Sequence, residues 1–276
     1  MGGVPVRGRA VGELLRRWRQ ERRLSQLELS ARCDVSTRHL SCIETGRARP
    51  SSEMVLRLGE HLQIPLRERN EALLAAGHAP VYPERALEAA ALAHVAAALR
   101  LVLDRHEPYP AVVLNRWWEV VDANAAVPAL LDGVAPDLLE PPLNVLRLTL
   151  HSRGLAPRLL NLPRWRAHLL LQLDRRIAAT GDDRLRSLRS EVRAYPAPAG
   201  EGPEPSEPSE HDTVLPMVLR VGESTVSMFS IAAALSTAGD VTLDELTVES
   251  FYPSDDASAG VLARLLPGAT AAGTRR

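Results

Sequence analysis

The first part of the chain carries apolar residues at helical spacing. Val11, Leu14, Leu15 and Trp18 are separated by three or four residues, which is typical of an amphipathic helix. Residues that commonly begin helices then recur at short intervals, and they predict four further helices. These starts lie at Ser25 (with Glu28 completing a capping box), Ser36, Pro50–Ser52 and Pro65. Five short helices ending near Gly77 predict a compact all-α domain.

A longer Ala/Leu segment follows, from Pro83 to about Arg105. Its apolar residues Leu92, Val95, Leu99 and Val102 fall on one side of a predicted helix. Such a helix can connect two domains, or it can pair with the same helix of a second copy.

The remainder alternates between strand and helix patterns. β-forming residues at 111–122, with a turn at Asn115–Arg116, predict a first strand region. Helical spacing follows at 165–177 and 185–195, and a hairpin is predicted at 215–231 around Gly222–Glu223. A strand at 247–251 and a short helix near 259–266 complete the chain. We therefore predict a second, α+β domain with helices on one side of an antiparallel sheet.

The predicted domain boundaries follow from these patterns. They are 8–78 for the helical domain, 83–106 for a connecting helix and 107–267 for the α+β domain. Residues 196–213 contain Pro, Gly, Ser and Glu and no large apolar side chain, so we predict a disordered loop there.

Composition and charge refine this picture. The chain has 276 residues and is 45% hydrophobic, which suits two globular domains. No apolar stretch approaches the ~18 residues of a membrane span, and the N-terminus lacks a secretory-signal pattern. Two cysteines favour a reducing cytosol over a disulfide scaffold.

The charge is unevenly distributed along the chain. The net charge of −1 taken alone argues against a nucleic-acid partner. However, residues 1–82 carry 14 Arg and 9 acidic residues (+5), whereas the remainder carries −6, and a basic first part joined to an acidic remainder is typical of a module that binds a polyanion.

The second and third predicted helices form a helix-turn-helix. Leu29, Val35, Leu40 and Ile43 lie where the two helices must pack together. The outer side of the second helix is then free to enter the major groove of double-stranded DNA, with its N-terminal residues at base edges. The candidate DNA-binding residues are Gln26, Ser36, Thr37, Arg38, His39, Ser41, Cys42, Thr45, Arg47 and Arg49.

Different roles are expected within this set. Arg38 can donate two hydrogen bonds to guanine, although a phosphate contact remains an alternative. Gln26, at the start of the preceding helix, suits a phosphate, and Thr45, Arg47 and Arg49 suit the DNA backbone. Cys42 is either an inert small residue or a thiol sensor.

Other chemistry has little support in the sequence. There is no metal-ligand spacing among the eight histidines and no nucleotide-binding or hydrolase motif, so neither cofactor nor enzyme activity is expected. The acidic pairs Asp182–Asp183 and Asp255–Asp256 are better explained as helix caps and turns. On a strand, Trp117 and Trp118 would face opposite sides, so only one could line a cavity.

Two sets of motifs carry a family resemblance. Residues 11–75, through LSQLELSARCDVSTRHLSCIETGRARPS, resemble the XRE-type (lambda-repressor-like) helix-turn-helix. The fuller resemblance is to MmyB-like transcriptional regulators, through VSTRHLSCIETGRARPSSEMVLRLGEHLQIPLRERNEALLAAGHAPVY (35–82), VVLNRWWEVVDAN (112–124) and DVTLDELTVESFYPSDDAS (240–258). Two features depart from the family pattern: Cys42 replaces a large apolar residue, and the loop at 196–213 is long.

The resemblance implies an N-terminal DNA-binding domain and a C-terminal PAS-like ligand-binding domain, which in this family can hold a fatty-acid-like ligand. A cytoplasmic, nucleoid-associated homodimer on a two-fold-related operator is expected. Candidate ligand-contacting residues are Trp117, Trp118, Trp165, Leu169, Leu173, Met217, Met228 and Phe251.

Three alternatives remain open at this point. The second domain can serve only dimerisation or contact with another protein, it can be an enzyme joined to a DNA-binding domain, or the chain can act as an antitoxin-like partner protein.

Overall fold

The computed structural model describes residues 6–196, 214–235 and 238–266, and the side chains from residue 10 onward. The predicted disordered loop at 196–213 lies almost entirely outside these residues. The described residues fall into two compact units, one within 1–86 and 236–244 and the other within 87–235 and 245–276. None of the helices in the described ranges combines the length and apolar composition that a membrane span requires.

The first unit begins with five helices. They are α1 (Val6–Glu21), α2 (Gln26–Arg32), α3 (Thr37–Glu44), α4 (Ser52–His61) and α5 (Leu66–Ala75). Their apolar faces meet in one core, in which Val11, Leu15 and Trp18 of α1 are buried. The prediction of five short helices is confirmed, and α2 to α5 begin after the serine caps or the proline that mark their starts in the sequence.

Helix α1 approaches α3 closely, and Gly12 allows it. A Cβ atom at Gly12 would lie 2.4 Å from the carbonyl oxygen of Ile43. A side chain at this position would therefore force the two helices apart.

The predicted helix from Pro83 to Arg105 is wrong in its first ten residues. Helix α6 spans Ala93–Arg105, after a short 3-10 turn at Ala90–Leu92. Residues 83–86 form no helix: the Pro83 carbonyl accepts from the Val241 N–H, and the Arg85 N–H donates to the Asp240 carboxylate. Just before this segment, Asn70 of α5 accepts hydrogen bonds from the backbone N–H groups of Val81 and Tyr82 and donates one to the Tyr82 carbonyl. The Glu84 side chain also forms an ion pair with Arg67 of α5. Contacts with residues 240–241 thus take the place of some backbone hydrogen bonds of a helix.

A segment from much later in the chain completes the first unit. Helix α11 (Val241–Asp244) begins with the Val241 N–H donating to the Pro83 carbonyl at 2.8 Å. The Asp244 carboxylate accepts from the Leu66 N–H at 3.0 Å, at the start of α5. The predicted boundaries place these residues in the second domain, whereas in the structure residues 236–244 belong to the first unit.

The second unit is built on a five-stranded antiparallel sheet. The strands are β1 (Ala111–Leu114), β2 (Val120–Ala123), β3 (Met217–Val221), β4 (Ser224–Ala234) and β5 (Thr247–Pro253). Their order is β2-β1-β5-β4-β3, so β5 is central. The helices are α6 with α7 (Ala126–Leu130), α8 (Val145–Leu150), α9 (Leu162–Thr180), α10 (Asp183–Arg193) and α12 (Asp256–Leu265). This is the predicted α+β class, with an antiparallel sheet.

Two local predictions in the second unit need correction. Trp117 and Trp118 lie in the connection between β1 and β2, not on a strand, and Trp118 has a left-handed φ of 58°. The strand at 247–251 is longer than expected, since Tyr252 and Pro253 pair with β4 and do not end it. Both differences arise from hydrogen bonds to residues distant in sequence, such as that from the Val145 N–H to the Trp118 carbonyl.

Candidate DNA-binding surface and ligand cavities

Helices α2 and α3 are each fixed at their N-terminus by a serine. Ser25 accepts from the Glu28 N–H at 3.1 Å, and the Glu28 carboxylate accepts from the Ser25 N–H at 2.7 Å. These hydrogen bonds lower the pKa of Glu28, which therefore stays ionised near the positive end of α2. Ser36 accepts from the His39 N–H at 3.1 Å and begins α3. The capping signals in the sequence thus place both helix starts correctly.

The predicted packing between the two helices is confirmed. Leu29, Leu40 and Ile43 are completely buried, and Val35 packs against the same core. Asp34, with a left-handed φ of 50°, makes the turn between the helices. The opposite side of α3 is consequently left to face solvent.

The structure places the candidate DNA-binding residues on and around this outer side of α3. The exposed ones are Ser36, Arg38, His39, Thr45, Arg47 and Arg49. The half-buried ones are Gln26, Thr37, Ser41 and Cys42.

Some of these residues also make contacts inside the domain. Gln26 donates to the Glu44 carboxylate at 2.8 Å, and the Thr37 hydroxyl lies 2.9 Å from that of Ser30. Arg49 donates to the carbonyl oxygens at the end of α5. The side chains of Arg38 and Arg47 are exposed and form no hydrogen bond or ion pair with another described residue. These two arginines are therefore the most available for an anionic partner.

An ion pair holds α3 to α1 behind this surface. Arg19 donates from Nε to Glu44 Oε1 at 2.6 Å and from Nη2 to Oε2 at 2.8 Å. Both side chains are almost fully buried, and the hydrogen bonds to Glu44 raise the pKa of Arg19 further above its ordinary value. With Gln26, this pair connects the first three helices at one carboxylate. No local sequence pattern predicts this pair, since its partners are 25 residues apart.

The two cysteines differ in environment. Cys33 is buried at the end of α2, and burial raises the pKa of its thiol. Cys42 is half-buried on α3, and both are free thiols.

The second unit contains a cavity with an almost entirely apolar lining. About 100 Å³ is accessible to the centre of a water molecule. The lining comes from the inner face of the sheet and from α7, α8 and α9. It consists of Pro110, Val112, Val120, Val127, Leu130, Leu131, Leu143, Val145, Leu146, Leu148, Thr149, Leu155, Trp165, Leu169, Met217, Glu249 and Phe251.

A second cavity in the same unit, which we call the polar cavity, has both polar and apolar lining residues. About 360 Å³ of it is accessible to the centre of a water molecule. It contains polar side chains from α9 and from strands β4 and β5. Its lining residues are Leu114, Trp118, His168, Gln172, Arg176, Val214, Leu215, Ser230, Ala232, Thr247 and Glu249.

Five of the eight predicted ligand-contacting residues line these cavities. Trp165, Leu169, Met217 and Phe251 line the apolar cavity, and Trp118 lines the polar one. The other three line neither. Leu173 and Met228 are fully buried in the core, and Trp117 packs against it and donates from Nε1 to Asp182 at 3.0 Å.

Glu249 and Arg176 are cavity residues that the sequence analysis missed. Phe251, two positions after Glu249 on the same strand, was predicted to contact a ligand, and side chains two apart share a face. Arg176 follows Leu169 by seven residues and so returns to the same side of α9. Strand and helix periodicity place both residues on the cavity side, but the candidates for ligand contact comprise apolar and aromatic side chains only.

The acidic pairs have structural roles, as expected. Asp182 accepts from the N–H groups of Arg184 and Leu185 at the start of α10, and Asp255 accepts from that of Ser258 at the start of α12. In the part of the chain that the structure describes, no three His, Cys, Asp or Glu side chains are grouped to hold a metal ion.

The comparisons with known families agree with this two-part geometry. Residues 10–72 match a helix-turn-helix domain, and residues 95–265 match the MmyB-like transcription regulator ligand binding domain. The second match covers more than half of the chain, so the chain belongs to this family of MmyB-like regulators. The comparison with curated proteins gives no match.

Proposed function

We propose that this protein is a sequence-specific transcription regulator that inserts α3 into the major groove of a double-stranded DNA operator. The observation that carries the proposal is the exposed N-terminal part of α3, with Arg38 and His39 outward on a helix whose inner side is locked in the core. The +5 charge of residues 1–82 supports contact with phosphates. Arg38 contacts guanine, Ser36, Thr37, Ser41 and Cys42 lie beside the bases, and Gln26, Thr45, Arg47 and Arg49 lie near the DNA backbone.

The substitution Arg38→Ala tests this proposal. Operators are first selected from random DNA with the wild-type protein. The variant should then bind more weakly by about 1–3 kcal/mol and lose one base preference. Arg57→Ala is the control, because Arg57 lies on α4 and contacts Glu53 and the Cys33 carbonyl. Unchanged base selectivity in Arg38→Ala contradicts the assignment.

The second unit is proposed to sense a small apolar molecule, with a fatty-acid-like compound as the candidate. The apolar cavity supports this proposal, because sixteen of its seventeen lining residues carry no formal charge and most are aliphatic. Native mass spectrometry of freshly purified protein should detect a bound lipid, and C10–C18 fatty acids should raise the melting temperature. A mass equal to that of the unliganded chain, with no thermal shift, contradicts the proposal.

The protein is further proposed to act in the cytoplasm as a homodimer on a two-fold-related operator. Leu101 and Val102 of α6 support self-association, since each is 51% exposed on the same helix. They equally favour a second candidate, in which the α+β unit only dimerises or binds another protein. Sedimentation analysis of Leu101→Glu should show loss of the dimer. If this variant stays dimeric, α6 is not the dimer contact.

A further inference from the structure

Glu249 occupies an unusual place for a carboxylate. It lies on β5, the central strand, and pairs with Val112 of β1 on one side and Ala232 of β4 on the other. Its side chain lines both the apolar and the polar cavity. Burial raises the pKa of this carboxyl, although the Ser230 hydroxyl and the charge of Arg176 act in the opposite direction. A group that costs free energy to bury therefore stands at the junction of the two cavities.

Arg176 lies across the polar cavity from the sheet. Its guanidinium stacks on the Trp118 ring at 4.4 Å and donates from Nη1 to the Arg116 carbonyl at 3.1 Å. Among the described residues this is its one hydrogen bond, so other N–H groups of the guanidinium remain for a molecule in the cavity. Burial and the charge of Arg116 lower its pKa.

The remaining polar groups of this cavity carry no net charge at neutral pH. His168 is paired with Gln172, and burial together with the charge of Arg175 lowers its pKa, which favours the neutral imidazole. Ser230 and Thr247 contribute hydroxyl groups. The polar cavity thus presents one cationic donor, Arg176, and one carboxyl acceptor, Glu249.

This pairing favours a particular kind of head group. A carboxylate ligand would gain from Arg176 but would bring a second negative charge to Glu249 in a site of low dielectric. A neutral group with both a carbonyl oxygen and an N–H or O–H can accept from Arg176 and donate to Glu249. Neither protein group is then left without a partner.

The two cavities are adjacent along α9. Trp165 and Leu169 line the apolar one, while His168, Gln172 and Arg176 line the polar one. An elongated molecule can therefore place its apolar part in the apolar cavity, against Trp165 and Leu169, and its polar end in the polar cavity, with Glu249 between the two parts.

We propose that the ligand of this domain is an amphipathic molecule with a neutral donor–acceptor head group, of the amide or hydroxy-carbonyl class. Its head lies between Arg176 and Glu249, and its apolar tail fills the apolar cavity. This inference rests on the proposed sensing of an apolar ligand and adds the chemistry of its polar end.

Three probes with the same tail separate the possibilities: decanamide, decanoate and methyl decanoate. At pH 8 the full-length protein should bind decanamide at least tenfold more tightly than the other two, by isothermal titration calorimetry. Glu249→Gln should remove the preference by strengthening decanoate binding about tenfold. Arg176→Met should weaken decanamide binding about tenfold. Glu223→Gln, in the exposed turn between β3 and β4, is the matched control and should behave as wild type.

The outcomes distinguish this inference from the function on which it rests. If decanoate or methyl decanoate binds as tightly as decanamide, the head-group assignment is wrong while an apolar ligand remains supported. The same conclusion follows if Glu249→Gln leaves the order of affinities unchanged. If none of the three probes binds, the apolar-ligand function fails and this inference fails with it.

Discussion

The ion pair between Arg19 and Glu44 should decide how firmly α3 is held, and Arg19→Met tests this. The two side chains are only 10% and 1% exposed and share two short hydrogen bonds. Removing one partner of a buried pair leaves an unpaired charge, at a typical cost of about 3–5 kcal/mol. Because Gln26 still donates to Glu44, we expect the lower end, about 3 kcal/mol.

Hydrogen exchange of the full-length protein, followed by mass spectrometry, measures this cost at α3 itself. A loss of about 3 kcal/mol corresponds to an opening equilibrium about a hundredfold larger, and so to faster exchange in residues 37–44 by a similar factor. DNA affinity should fall in parallel, because the residues proposed to contact bases lie on this helix.

Arg17→Met is the matched control on the same helix. Arg17 lies 3.8 Å from Glu21, with side chains 45% and 28% exposed, and an exposed pair of this kind contributes at most about 1 kcal/mol. The double variant Arg19→Met with Glu44→Gln should recover part of the loss, since no buried charge is left unpaired. If Arg19→Met exchanges no faster than Arg17→Met, the ion pair does not hold α3.

Three further predictions follow from single contacts. Gly12→Ala should destabilise the protein by about 1–3 kcal/mol in thermal unfolding, because its methyl group overlaps a carbonyl of α3, whereas Gly239→Ala has free space and should not. Arg47→Ala should weaken binding to all DNA sequences and reduce the slope of log affinity against log salt concentration by about 0.9. Arg49→Ala should mainly lower the melting temperature, because Arg49 donates to carbonyl groups at the end of α5, and equal melting temperatures for the two variants would contradict this. Glu249→Gln should become more stable relative to wild type as pH rises above 4.5. The folded pKa of Glu249 is raised, so ionisation of this carboxyl destabilises the folded wild-type protein and has no counterpart in the variant. A pH-independent difference in melting temperature between the two proteins would contradict this.

The DNA-binding half of the fold could be predicted because its signals are local. Ser25 and Ser36 act on N–H groups three residues away, and the apolar spacing of α1 to α5 lies within single helices. The same locality predicted the hairpin of β3 and β4 around Gly222. Such elements do not need knowledge of distant residues.

The errors occur where distant residues override local preference. The segment that begins at Pro83 has helical composition, but the backbone groups of Pro83 and Arg85 form hydrogen bonds with Val241 and Asp240 instead. Similarly, the candidate site was predicted only in its apolar part. The carboxyl of Glu249 and the guanidinium of Arg176 come together through a strand and a helix more than 70 positions apart, which periodicity within one element does not show.

The central claim is that one chain couples a ligand cavity to a DNA-binding helix. The connection between β4 and β5 supports coupling of the two sites. It contributes α11 to the first unit and is followed directly by β5, the strand of the second unit that carries Glu249. The most direct test is the dissociation constant for the selected operator, measured by fluorescence anisotropy with and without saturating decanamide or decanoate. We expect the dissociation constant to change by at least about fivefold with the bound compound, in the usual range of coupling between sites. Equal dissociation constants with and without a compound that binds would contradict it.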